Sequence, residues 1–208
     1  MIDLVVTLIG RDRPGLVEAV ALTIVDHGGN WLESRMIHLA GKFAGILRVE
    51  VPPERQPALV RALEGLVGAT GLKILVEAGE RAAVRPVGAS APPPAAPERT
   101  SPGLGPRETA PPAERLMDVE LLGLDRPGLV REISQLLAQH GVNVEELVTD
   151  RSGAPMSGEM LFRAHARVKV PGGIDAARLR ASIERLASDL SMEIRVDDSD
   201  GKRGARKS

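Results

Sequence analysis

The chain contains one stretch twice. Residues 10–30 read GRDRPGLVEAVALTIVDHGGN, and residues 123–143 read GLDRPGLVREISQLLAQHGVN. At an offset of 113 they align without a gap, and 10 of the 21 positions are identical. The identities gather at the two ends. Gly10, Asp12, Arg13, Pro14, Gly15, Leu16 and Val17 match Gly123, Asp125, Arg126, Pro127, Gly128, Leu129 and Val130; His27, Gly28 and Asn30 match His140, Gly141 and Asn143. Between them only the apolar spacing persists. A duplication of this kind means two copies of one structural unit.

The repeated motif has a physical reading of its own. Asp-Arg-Pro-Gly-Leu follows an apolar run and opens a helical pattern, so proline is expected at the first helical position and Asp12 as the N-terminal cap. Gly15, lacking a side chain, lets another molecule approach the backbone, and N–H groups at a helix start attract carboxylate or phosphate. On this reading Gly15→Val blocks a ligand and spares the fold. The competing explanation is that an ordinary strand-to-helix turn needs these residues in both copies.

Each half spells the same order of elements. Residues 2–9 alternate as a strand with Leu4, Val6 and Leu8 inward, and 14–27 carry a helical apolar stripe ending at Gly28-Gly29. Residues 30–39 and 42–51 form a hairpin about Ala40-Gly41; a helix over about 54–67 and a strand through Leu72, Ile74 and Val76 complete βαββαβ. The second half repeats this: a strand through Met117, Val119 and Leu121, a helix over 127–140, strands over 143–149 and 159–170, a helix over 174–190, and a strand through Met192, Ile194 and Val196. The fold class is α+β, two ferredoxin-like βαββαβ domains with antiparallel sheets and helices on one face. Outward strand positions differ between the halves: Asp118 and Glu120 face Arg163, His165, Arg167 and Lys169, against Val5, Thr7 and Ile9 in the first half. Opposite charges across strands account for the former without a ligand, and the less polar face is expected to be covered.

Residues 79–115 hold nine of the chain's 16 prolines and read as a linker, about 30–35 Å r.m.s. if flexible. The expected division is therefore 1–78, linker 79–115, 116–197, and a basic tail over 198–208.

Composition removes several function classes. A net charge of −1 offers no general affinity for nucleic acid or an acidic membrane, and the three aromatic residues, Trp31, Phe43 and Phe162, make no base-stacking platform. No cysteine is present, which excludes disulfides and thiolate chemistry. Without a signal-like N-terminus or a membrane-length apolar run, a cytoplasmic protein is expected. His27 and His140 end equivalent helices as dipole partners, and His38 and His165 fall on strands with no acidic cluster at metal-ligand spacing, so no metal or other cofactor is expected. Glu145 and Glu146 are adjacent on a strand and point apart, and no nucleophile or phosphate-loop motif occurs, so no enzyme is expected.

The order strand, D-R-P-G-L, helix, then G-x-N opening the next strand resembles the ACT domain, a βαββαβ regulatory module. Two such modules without a catalytic domain resemble transcriptional repressors within that family. The resemblance implies side-by-side domain association, within a chain or as a homodimer, and an amino-acid ligand, glycine among the candidates. The implied site lies between the first strand-to-helix loop and a neighbour's second strand. Carried onto this chain, it comprises Asp12, Arg13, Pro14, Gly15, Leu16, Asn30 and Trp31, with Asp125, Arg126, Pro127, Gly128, Leu129, Asn143 and Val144. An amino-acid-sensing regulator acting through a protein partner is the expected function. A ligand-free scaffold is the alternative, and direct DNA binding through the tail's four basic residues is the weakest reading.

Overall fold

A computed structural model describes residues 1–79, 114–153 and 159–198. The linker (except its ends), the basic tail beyond Asp198 and most of the expected 150–158 loop lie outside the described residues. The elements run β1 (Ile2–Arg11), α1 (Leu16–Asp26), β2 (Asn30–Leu39), β3 (Lys42–Val51), α2 (Gln56–Thr70) and β4 (Lys73–Ala78). The second half gives β5 (Arg115–Leu124), α3 (Leu129–Gln139), β6 (Asn143–Gly153), β7 (Met160–Val170), α4 (Ala176–Asp189) and β8 (Glu193–Asp198). This is βαββαβ twice. All pairings are antiparallel, and the eight strands form one sheet in the order β4-β1-β3-β2-β6-β7-β5-β8.

The alternation in β1 works as read: Leu4, Val6 and Leu8 are buried and join one core with Val20 and Ile24 of α1 and Leu59 and Leu63 of α2. Ala40 and Gly41 both adopt positive φ, 49° and 73°, the backbone of a two-residue hairpin whose twist suits the flanking strands. The outer face of the second half is an ion-pair lattice. Asp118 stands opposite Arg167, and Glu120 opposite His165; Arg167 Nε lies 2.9 Å from Asp118 Oδ1. On the first half Ile9, Ile37, Ile46 and Leu75 are each about half exposed, so the apolar outer face expected to be covered is bare in the single chain.

The halves meet through β2 and β6, with Ser34, Arg35, Met36 and Ile37 opposite Thr149, Val148, Leu147 and Glu146. Arg35 and Val148 differ by the repeat offset, so that pair lies on a local two-fold axis. The association expected between modules is thus made within one chain. It buries a small polar knot at its centre: Trp31 Nε1 donates to Thr149 Oγ1 at 3.2 Å, and the Ser34 and Thr149 hydroxyls share a bond of 3.0 Å.

The start of each first helix corrects the sequence reading. Pro14 is not the first helical residue, and Asp12 does not cap. The cap is Gly15 at φ 87°, with no side-chain hydrogen bond, and Gly128 at φ 96° repeats it. Each glycine is therefore required by a left-handed backbone turn that side chains other than glycine's disfavour. Space is not the constraint, since a Cβ at Gly15 would meet only Glu18 Oε2, at 3.8 Å. The positive φ is the condition under which Gly15→Val strains the fold as well as the site.

Candidate functional site

Freed from capping, the two loop aspartates reach across the axis. Asn143 at the start of β6 donates from Nδ2 to Asp12 Oδ2 at 2.5 Å, and Asn30 at the start of β2 donates to Asp125 Oδ2 at 3.3 Å. Both asparagines are buried. Each loop of one half is thereby latched to the second strand of the other, and two pockets form that neither half completes alone.

The first pocket lies between Asp12, Gly15 and Leu16 of one half and Leu137, Asn143 and Val144 of the other. The second lies between Asn30 and Trp31 and the Arg126, Gly128 and Leu129 loop. The structure thus brings the predicted residues into two groups, each mixing both halves. Pro14, Asp125 and Pro127 line neither pocket; the two prolines are exposed, and Asp125 lies beside the second pocket against Asn30 and Arg151. Arg13 sends its guanidinium to the carbonyl of Ala69 at the end of α2, at 2.6 Å. Each pocket holds about 10 Å³, room for one water and far less than an amino acid needs.

Around each latch stands a second layer of charge. Asp125, whose side chain is 3% exposed, lies 2.8 Å from Arg151 Nε, and Arg151 Nη1 lies 3.4 Å from Glu50 of the first half. Burial raises the Asp125 pKa above 3.8, the Arg151 charge and the Asn30 hydrogen bond oppose that, and Glu50 adds to it. In the twin position His38 Nδ1 lies 2.6 Å from Glu145 Oε2, and its Nε2 lies 3.7 Å from Asp12 Oδ2. His38 thus has two acidic neighbours, Asp12 and Glu145, where the sequence reading expected no acidic cluster at metal-ligand spacing. They come from a distant loop and from the other half, a proximity that spacing along one strand cannot show. Glu146 reaches Arg167 and Glu145 reaches Lys169, two residues apart on one face of β7, because β6 carries a bulge between Val144 and Glu146; the strict alternation expected of the two glutamates does not hold there.

His38, Glu145, Arg151 and Glu50 were absent from the predicted set, yet the aligned repeats carried a trace of them. At the offset of 113, His38 falls on Arg151, and each stands beside its loop aspartate. The two asparagines stand opposite Glu50 and Lys169 in the same register position.

A loop-to-helix turn latched onto the second strand of an adjoining βαββαβ unit, with the sheet continuous across the join, defines a paired regulatory-domain module. Sequence profiles of the ACT domain match residues 3–77 and 117–187. The chain belongs to the ACT-domain family. The glycine cleavage system transcriptional repressors of Escherichia coli (strain K12) and Shigella flexneri are each 24% identical over 192 residues, covering 91% of this chain and 86% of theirs. A crystal structure of an unknown protein from Galdieria sulphuraria is 24% identical, with a TM-score of 0.40, over 95% of this chain and 98% of that one.

Proposed function

We propose that the protein is an amino-acid-sensing regulator that binds a free amino acid, glycine among the candidates, at the two latched pockets. The observation that carries this reading is a matched pair of orphan atoms. Asp12 Oδ1 and Asp125 Oδ1 are both buried and both lack a hydrogen-bond partner. A buried carboxylate oxygen without a donor is costly, and an α-ammonium group supplies the missing donor. The N–H groups of the first turns of α1 and α3, unpaired within their helices, complement the ligand's carboxylate. Entry requires the asparagine to release its aspartate, because each pocket as it stands admits only a water. The ligand's contacts then replace the latch.

Its relatives' role as transcriptional repressors supports regulation through a protein partner, with no chemistry performed on the ligand. The proposed domains remain 1–78 and 116–197, joined by the 79–115 linker. Among the described residues no helix is long and apolar enough to cross a membrane.

One observation favours a second reading. The asparagine latches already fill the space a ligand would need, as they would in a scaffold that keeps the fold and binds nothing. Calorimetric titration of the full chain with each of the standard amino acids decides between the two. On the sensing reading one of them binds, and at a hundred times its Kd it adds about 2.7 kcal/mol of stability. Asn30→Ala and Asn143→Ala then each change the affinity of one pocket about tenfold or more. If no amino acid gives heat or moves the midpoint, the scaffold reading stands.

A further inference from the structure

Behind the first latched pocket lies a second space. Val17, Ser134, Leu137 and Val144 line both that pocket and a neighbouring cavity of about 20 Å³, set between α3 and the strands β5, β6 and β7. Leu121, Phe162, Ala164 and Ala166 give the cavity walls of hydrocarbon. Its two hydroxyls are already engaged. Ser134 Oγ donates to the Arg131 carbonyl at 3.1 Å, and Thr149 Oγ1 is bonded to both Trp31 and Ser34. An apolar cavity of this kind stays dry and accepts an apolar guest.

The same place in the other half is filled. At the repeat offset Trp31 stands where Val144 does, and Met36 where Thr149 does. The strand registers set Leu47 opposite Val6 as they set Ala166 opposite Val119. Trp31, Met36 and Leu47 are all buried. Met36 lies so close over Gly45 that a Cβ on that glycine would meet its Cγ at 2.5 Å. Three larger side chains therefore occupy, beside the second pocket, the volume left open beside the first.

We propose, resting on the amino-acid reading above, that the first pocket takes a small aliphatic α-amino acid, of the alanine-to-valine class, with its side chain in this cavity. The orphan Asp12 Oδ1 receives the ammonium group, and the side chain crosses the wall that pocket and cavity share. The room suits about two water-sized groups, which admits a methyl or an isopropyl and no aromatic ring. A hydroxyl or a charge there loses its water and finds no free partner. The second pocket, with Trp31 in the equivalent position, has no room for a side chain and admits glycine alone. The two sites thus differ in what they select.

The test is calorimetric titration of the full chain with glycine, alanine, valine and threonine. The expected result is one valine per chain, bound about tenfold or more tighter than glycine, with alanine between them. Threonine, which has valine's shape with a hydroxyl, should bind about tenfold or more weaker than valine. Ala166→Leu gives the cavity the residue its twin carries, and should reduce valine to the level of glycine. Threonine binding as tightly as valine overturns the proposal, and so does undiminished valine binding in a folded Ala166→Leu variant. Should Ala166→Leu not fold, the ratio of valine to threonine affinity in the parent still decides. A chain that binds glycine and not valine overturns the aliphatic assignment and leaves the sensing reading standing; a chain that binds no amino acid overturns both.

Discussion

Arg151 Nε stands 2.8 Å from the Asp125 carboxylate yet is out of line for a hydrogen bond with it. The pair is held by charge more than by direction. Burial outweighs that attraction, and the folded protein binds a proton at Asp125 more tightly than the unfolded chain does.

The sign of the pH effect follows. A carboxyl whose pKa rises on folding contributes stability at low pH, and that contribution is lost as pH climbs from the unfolded value, 3.8, through the folded one. Asp125→Asn removes the dependence. Urea midpoints compared from about pH 4 to about pH 7 should show the variant gaining on the parent as pH rises and then levelling off. A difference that shrinks with pH contradicts the assignment.

Removing the other partner has the opposite outcome. Arg151→Ala leaves Asp125 and Glu50 without their shared cation, and a buried charge stripped of its partner costs about 3 kcal/mol. The double variant Arg151→Ala with Asp125→Asn should recover much of that loss in chemical unfolding.

Thr149 is fully buried and accepts from Trp31 while bonding Ser34. Thr149→Val keeps the shape and orphans both groups, at an expected cost of about 1–3 kcal/mol. Trp31 is the only tryptophan, so its emission reports directly on the join between the halves. The variant should show its red shift at a lower denaturant concentration than the parent.

At Gly15 the cost is conformational. Gly15→Ala should lower stability by about 1–2 kcal/mol, and Gly15→Asn by less, because asparagine tolerates the left-handed region. Thermal midpoints that rank the two the other way would mean that side-chain space, not φ, governs the position.

Much of this architecture is written locally. Alternation in β1, the Ala40-Gly41 turn and the helical stripes each depend on neighbours a few residues away, and the bounds of β2 and β3 read from sequence match those observed. The family resemblance, and not the repeat by itself, pointed to the loop and a neighbour's asparagine as parts of one place. What stayed hidden was non-local. Asp12 reads as a cap because nothing nearby says that Asn143 will claim it. His38 reads as an isolated strand residue because Glu145 is more than a hundred positions away. The positive φ of Gly15 was concealed by a proline that equally suits a helix start.

The helices α1 and α3 each have one end in one pocket and one in the other. Leu16 and Val17 line the first pocket and Ala21 and Ile24 the second; Leu137 and Ala138 line the first and Leu129 and Val130 the second. Both helices are short, about 16 Å, and stiff over that length. If the pockets take ligands as proposed, whatever spreads one would lever the wall of the other, and two rods that cross both would couple the two occupancies.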